Sequence, residues 1–357
     1  MTSSKHQPQS APYFVNPSAK IHPDVHLSPF CVIHGQVEIG AGSWIGENVV
    51  IYDGVRIGEN CRIMPGSVIS ADASHLEYWR KEEVASLSEN ADFWNRVWIG
   101  DRVHIESGAS LHGGIVVGDD CWIGSNATIH DGARLASKVR IFPGAVISAI
   151  PQDLKFVGEK TTLEIGENTV VREFATLNRG TTYRGKTVIG KNVLIMAYVH
   201  IAHDCQIGDH VILVNNVNLA GHVEIEDWAI LEGLAAVQQF VRIGRHAFIA
   251  GGSMVRKNVP PYVKAAREPL SYAGVNSIGL RRRNFSNEQI QAIQDVYRSI
   301  FLSGMNTTQA LDFVETELPP TEERDIIITF IRKATRGIIR GYQSGSSSDA
   351  NGVEIEE

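Results

Sequence analysis

A six-residue frame runs through most of this chain and restricts its fold more than any other feature. Ile-Gly or Val-Gly pairs recur at 39–40, 45–46, 57–58, 99–100, 117–118, 123–124, 165–166, 189–190, 207–208 and 243–244. Every sixth position from Ile21 to Val255 gives 40 positions, of which 34 are Ile, Leu or Val. The exceptions are His75, Lys81, Phe93, Asp153, Glu159 and Tyr183; most fall in 72–90 and 150–160, with Tyr183 in 180–186, and these stretches read as loops. An amphipathic helix repeats its apolar face every three or four residues, and a sandwich strand every two, so neither template fits. Hexads fit a parallel β-solenoid in which three short faces make an 18-residue coil. The aliphatic of each hexad points inward, and stacked coils bury it in a continuous column. A Gly after it suits the turn between faces, where a Cβ would be crowded.

The four cysteines obey the same frame. Cys31, Cys61, Cys121 and Cys205 each precede an inward aliphatic by two residues, a spacing that suits neither a zinc ribbon nor a redox pair. They read as buried structural thiols in a reducing compartment. The frame stops at Val259, before Pro260-Pro261. Ser286–Gln289 then forms a capping box that opens a helix with Ile290, Ile293, Val296, Tyr297 and Ile300 on one face. A second helix is expected near 308–318, and a third over about 321–342 carrying Ile327, Phe330, Ile331 and Ile338. The expected organisation is a disordered start over 1–12, a β-helix over 13–258, an α-helical region over 259–343 and a disordered acidic tail over 344–357.

A second repeat lies at an offset of 78 residues, where Gln36–Ala71 matches Gly114–Ala149. Trp44, Asp53, Arg56, Pro65 and Gly66 fall on Trp122, Asp131, Arg134, Pro143 and Gly144, identities that the hexad alone does not demand. The duplicated segments cover about 13–71 and 91–149, around an inserted loop at 72–90. Asp153 aligns with His75 and Lys155 with Glu77, so the first copy lacks that pair of opposite charges and is expected to be scaffold or docking surface.

The richest polar cluster is His200-Ile201-Ala202-His203-Asp204, followed by Asn215-Asn216 and Gly221-His222. His203, Gly221 and Gln239 are 18 residues apart, so they should stack on one face with strands about 4.8 Å apart. An imidazole beside a backbone N–H that carries no side chain is the arrangement acyl transfer needs: a general base next to an oxyanion donor. A histidine on a solenoid surface can equally be a solvated residue. Zinc would require convergent ligands at about 2 Å, which two histidines on one hexad do not readily supply, so no metal is expected.

At these residues the chain resembles a known family. Met196–Cys205 (MAYVHIAHDC) and Val214–His222 (VNNVNLAGH) resemble the acyl-carrier-protein–UDP-N-acetylglucosamine O-acyltransferases of lipid A synthesis. The resemblance also covers Pro151–Phe156, Gly221–Gln239, Val259–Val263, Gly274–Asn276, Arg281–Ser286 and Thr335–Arg340, and so spans about 140 to 341. It implies a left-handed parallel β-helix followed by an α-helical C-terminal domain, a homotrimer, and sites in clefts between neighbouring subunits. His203 matches the family's general base, Asp204 its acidic neighbour and Gly221 the oxyanion donor. His200 falls within the matched motif, and His222 resembles the second histidine near substrate. Asp153 and Lys155 match the loop that reaches the nucleotide sugar; Gln239, Asn276, Arg282 and Arg283 match nucleotide-side contacts. Gly251 matches the position that limits acyl length. The implied partners are acyl carrier protein and a UDP sugar, with a thioester donor and no cofactor.

Three positions depart from the family pattern. Gln238 stands where a histidine faces the sugar's 2-substituent, Ile278 replaces a glutamate near the nucleotide, and Pro269 replaces a histidine. They leave open an enzyme that acylates an amine on a UDP sugar. A solenoid that has lost catalysis also stays open, as does a zinc hydratase. The formal charge of −7, from 33 basic and 40 acidic residues, argues against a nucleic-acid binder. Met1–Pro12 lacks the apolar core of a secretory signal, and runs such as Val193–Val199 are too short to span a bilayer, so a cytoplasmic protein is expected.

Overall fold

The computed structural model of the chain describes residues 12–71 and 96–341. The expectations for the N-terminus, for the loop at 72–90 with His75 and Glu77, and for the acidic tail fall outside the described residues, apart from Pro12. Strands of two to four residues, from Phe14–Val15 to Met254–Val255, wind into three parallel sheets. Each strand pairs with the one a coil later, as His200↔Asn218 and Ile201↔Leu219 do. The inward aliphatics form one column, with Ile33, Ile51, Ile69, Leu111, Ile129 and Ile147 all fully buried. Each such side chain contributes roughly 1.5–3 kcal/mol by leaving water. A Cβ on Gly40 would lie 2.7 Å from the Gly58 carbonyl, so glycine after the aliphatic permits close coil stacking. Three residues after the aliphatic the backbone is left-handed, at Asn48 (φ 56°), Asn126 (57°), Asn168 (60°) and Asn216 (62°), a conformation Asn and Asp tolerate.

The outward faces differ. The second sheet carries ion pairs between coils, Lys20–Glu38 at 3.1 Å, Arg56–Glu38 at 3.2 Å and Lys186–Glu164 at 3.2 Å. Along its C-terminal half the third sheet presents Val170, Leu194, Ile212, Ile230 and Phe248, all half-buried. The corner between the third and first sheets exposes Phe174 (52%), Tyr198 (56%) and Leu234 (68%).

The C-terminal region is less purely helical than its sequence suggests. Val263–Ala266 adds a strand to the third sheet and Ser271–Val275 returns antiparallel to it, before helix α1 (Ser277–Arg281). Helix α2 (Asn287–Leu302) opens with the expected capping box and buries the five expected side chains. Helix α3 is Thr307–Glu317 and α4 is Glu322–Arg332. The expected third helix is therefore cut short. Gly337 turns the chain with φ 67°, Ile338 bridges to Asn258, and Arg340–Gly341 pairs with Ser271–Tyr272.

Candidate active site

His203 lies at the corner between the first and second sheets, after strand His200–Ile201 and before Gln206–Ile207. Gly221 and Gln239 occupy the same corner one and two coils on, as their spacing predicts. The His222 N–H donates to the His203 carbonyl at 3.0 Å, and the Phe240 N–H to that of Gly221 at 3.3 Å. A Cβ on Gly221 would lie 2.7 Å from His203 Cε1 and 2.8 Å from Nε2. The imidazole thus packs against residue 221, and only glycine admits it. The N–H groups of Ala220 and His222 donate to Val237 and His203 carbonyls, while the Gly221 N–H has no partner among the described residues.

Asp204 is fully buried. Its Oδ2 lies 2.8 Å from His203 Nδ1 and 2.6 Å from the Thr181 hydroxyl, which donates to it. The Thr181 and Arg184 N–H groups donate to Oδ1, both at 3.1 Å. Burial pushes the Asp204 carboxyl up, but the bonds from His203, Thr181 and Arg184 outweigh it and hold the group below its usual range. An ionised carboxylate makes Nδ1 the protonated ring nitrogen and leaves the Nε2 lone pair available. Thr181, Arg184 and Thr187, whose hydroxyl accepts the Asp204 N–H at 2.8 Å, were not legible as site residues. The one signal was Tyr183, whose break in the frame marks the segment that carries two of them.

Around this dyad, Asp153 Oδ2 sits 3.9 Å from His203 Nε2, and its other oxygen accepts the Lys155 N–H at 2.9 Å. The Lys155 side chain is exposed. His222 is buried, stacked on Phe240 at 4.4 Å and edge-on to His203 at 5.0 Å. Burial lowers its pKa, which favours the neutral ring. His200 extends from the first sheet on the same coil, with Nδ1 2.8 Å from Thr176 Oγ1, and burial lowers its pKa too. Gln238 and Gln239 are exposed on the coils above.

The other expected site residues lie elsewhere on the prism. Arg283 stacks over Trp228 at 5.0 Å, and its Nη1 is 3.5 Å from His246 Nδ1, at the corner between the second and third sheets. Asn276 caps α1 and donates to the His246 carbonyl at 2.9 Å; Arg282 is exposed at the end of α1. Gly251 is at the corner between the third and first sheets. One face of the solenoid, roughly six residues at about 3.3 Å each, separates these groups from His203 within a single chain.

His203, Asp204 and His222 each offer a donor atom within 4.8 Å of the others, compact enough for a metal ion. Yet the Asp204 oxygens are already taken by four donor groups, one of them His203 itself. That set suits a hydrogen-bonded acid–base pair better than a metal centre.

Comparison with known proteins bears on this arrangement. A family model described as UDP-N-acetylglucosamine O-acyltransferase, domain 2, matches residues 258–339, and a bacterial transferase hexapeptide model matches 37–71, 96–131 and 186–221. An acyl-carrier-protein–UDP-N-acetylglucosamine O-acyltransferase of Thiobacillus denitrificans is 40% identical over 202 residues, 56% of this chain and 78% of that protein. One from Herminiimonas arsenicoxydans is 43% identical over 205 residues, with the same shares. The chain belongs to this acyltransferase family. The UDP-N-acetylglucosamine acyltransferase of Francisella novicida superimposes with a TM-score of 0.65 at 37% identity, covering 67% of this chain and 88% of that one. The Arabidopsis enzyme gives 0.63 at 29% identity, covering 92% and 100%. The solenoid is accordingly the left-handed parallel β-helix of hexapeptide acyltransferases, here with a helical region after it.

Proposed function

We propose that this acyltransferase moves an (R)-3-hydroxyacyl group from acyl carrier protein to the 3-position of UDP-N-acetylglucosamine, the first step of lipid A synthesis. One observation carries the reading: His203 Nδ1 is tied to a buried carboxylate while its ring packs on Gly221, whose N–H has no partner among the described residues. Nε2 takes the proton of the 3-hydroxyl as that oxygen attacks the thioester carbon. Negative charge collects on the carbonyl oxygen, beside the Gly221 N–H. Collapse breaks the C–S bond, and the imidazolium returns its proton to the leaving thiolate. Asp204 supports the cation in between. No acyl-enzyme forms, because Cys205 is pushed up to about 12 by burial and its thiol donates to the Ala220 carbonyl. The thioester supplies the activated group, so the reaction requires no cofactor. Asp153, Lys155, His200, His222 and Gln238 address the sugar, while Gln239, Asn276, Arg282 and Arg283 address the nucleotide. Gly251 leaves room for a long acyl chain.

Asn276, Arg282 and Arg283 reach the base only from a second chain. With the charged second sheet outward, three copies bury the Phe174–Tyr198–Leu234 corner on a threefold axis and pack the apolar third sheet on a neighbour's first. The His203 corner of one chain then meets the Arg283 corner of the next, and a homotrimer has three clefts. Four free cysteines suit a reducing cytoplasm; no helix among the described residues is long and apolar enough to cross a membrane.

Purified protein supplied with 3-hydroxyacyl carrier protein and UDP-N-acetylglucosamine should release an O-acylated nucleotide sugar, detected by mass spectrometry. Absence of that product from intact protein would reject the reading. Gln238 favours testing a 3-amino UDP sugar alongside, since preferential N-acylation would move the acceptor to that class.

A further inference from the structure

The carboxylate behind the base is held by an excursion and not by its own coil. Thr162 pairs with Lys186, an offset of 24 where an uninterrupted coil has 18, so six residues leave the solenoid before the strand Lys186–Ile189. Within this excursion the Thr181 N–H reaches both Asp204 oxygens, at 3.1 and 3.2 Å, and the Thr181 hydroxyl reaches Oδ2 at 2.6 Å. That Oδ2 is the oxygen that His203 Nδ1 also uses.

The excursion is itself pinned. The Gly185 N–H donates to the Thr181 carbonyl at 2.7 Å, the Tyr183 N–H to Thr181 Oγ1 at 3.2 Å, and the Gly180 N–H to the Thr162 carbonyl at 3.1 Å. The Arg184 guanidinium pairs with Glu224, which Arg242 also binds at 3.0 Å, and Arg242 packs over the Phe330 ring of α4 at 4.8 Å. Thr181 Oγ1 therefore accepts from Tyr183 and donates to Asp204, a chain in which each bond polarises the next.

We propose that Thr181 is a positioning residue for acyl transfer, locking the Asp204 carboxylate in the orientation that aims His203 and sharing the negative charge that His203 feels. This rests on His203 being the base. A carboxylate with one donor fewer keeps more charge for the imidazolium, which then holds its proton more tightly. The hydroxyl is the component that a side-chain substitution removes, since the backbone donors of residues 181 and 184 persist in every variant but proline.

The experiment compares Thr181→Val, which keeps the shape and loses the donor, with Thr181→Ser, which keeps the donor, and with His203→Ala. Thr181→Val should lower kcat by about 10- to 100-fold, the worth of one bond to a charged group, with KM for the UDP sugar changed less than about twofold. The acid limb of its pH–rate profile should move to higher pH, and Thr181→Ser should stay within about threefold of the unaltered enzyme with its profile. A Thr181→Val enzyme with unaltered kcat, or one equally slowed at every pH with an unmoved limb, overturns the proposal while an inactive His203→Ala leaves the base in place. An active His203→Ala removes the base and this proposal with it. If Thr181→Val does not fold, Thr181→Ala is read in the same way.

Discussion

Gly221→Ala adds a single methyl group, and the structure says where it goes. The new Cβ would meet His203 Cε1 at 2.7 Å, Nε2 at 2.8 Å and Nδ1 at 3.3 Å. To reach an ordinary contact of about 3.5 Å the ring must recede by about 0.8 Å. It has no easy path, because Nδ1 is bonded to Asp204 and Asp204 is held by Thr181 and Arg184. A misplacement near 1 Å costs about 100-fold in rate, and a shifted oxyanion donor costs about 10²–10³-fold on its own. The two overlap, so kcat should fall by about 10²–10³-fold, roughly 3–4 kcal/mol of transition-state stabilisation. Gly221 is not among the positive-φ glycines, so alanine brings no backbone strain there and the fold should persist. Gly251→Ala is the control: its nearest neighbours are the Gly233 carbonyl oxygen at 3.2 Å and Glu232 Cβ at 3.8 Å, away from the base. It should keep kcat with short donors. Steady-state rates, with melting temperature and sedimentation to show an intact assembly, read the result. A folded Gly221→Ala enzyme within about threefold of the unaltered rate would refute the contact argument.

His203→Ala should lose about 10²–10⁴-fold in turnover with unchanged circular dichroism; near-normal turnover removes it from the mechanism. Gln238 cannot carry the positive charge of a histidine, so Gln238→His should change the ratio of rates on UDP sugars differing at the 2-position, and an unchanged ratio makes Gln238 mere packing. His130 is held at about 4, below the ordinary 6.5 of histidine, by burial and by the neighbouring His112 and Arg179. The unfolded chain therefore binds a proton below about 6.5 that the folded chain refuses, and stability falls as pH drops from about 6.5 to about 4, by roughly 3 kcal/mol. His130→Gln should flatten that part of a urea-unfolding series across pH, and an unchanged slope contradicts the assignment. Tyr198→Asp combined with Leu234→Asp should give inactive monomers by sedimentation; an active trimer would reject the threefold corner.

The coils and half of the site were legible because both depend on spacing alone. Nothing interrupts the frame between His203 and Gln239, so the multiples of 18 translate directly into the stack His203–Gly221–Gln239. Asp153 and Thr181 precede His203 by distances that include excursions, and no periodicity gives the path of those segments. The C-terminal helix was over-extended for a related reason. Ile338 keeps an apolar spacing after Phe330 and Ile331, but it is spent on a bridge to Asn258 once Gly337 has turned the chain. The strands at 263–266 and 271–275 have no hexad signal, because the third sheet continues with Ile249 opposite Ala265, an offset of 16 that leaves the frame.

The excursions show why polar groups gather around His203. Partner offsets reach 42 at Val68↔Ser110, 30 at Val146↔Thr176 and 24 at Thr162↔Lys186. Less one coil of 18, these leave 24, 12 and 6 residues, each a multiple of six, so the inward frame reads straight through and only a change in residue character betrays the loops. All three leave between the first and second sheets. Insertions there break no ladder, since the turn lies between strands, and the polar groups of the second and third lie beside the turns stacked at that corner. The second brings Asp153 to Nε2 of His203, and the third brings Thr181 and Arg184 to the carboxylate behind Nδ1. The solenoid alone supplies a histidine on a glycine, and the two excursions add polar groups on both sides of its ring. A corner with neither excursion, such as the one at Gly251, can offer shape but not polar groups on both sides of an imidazole.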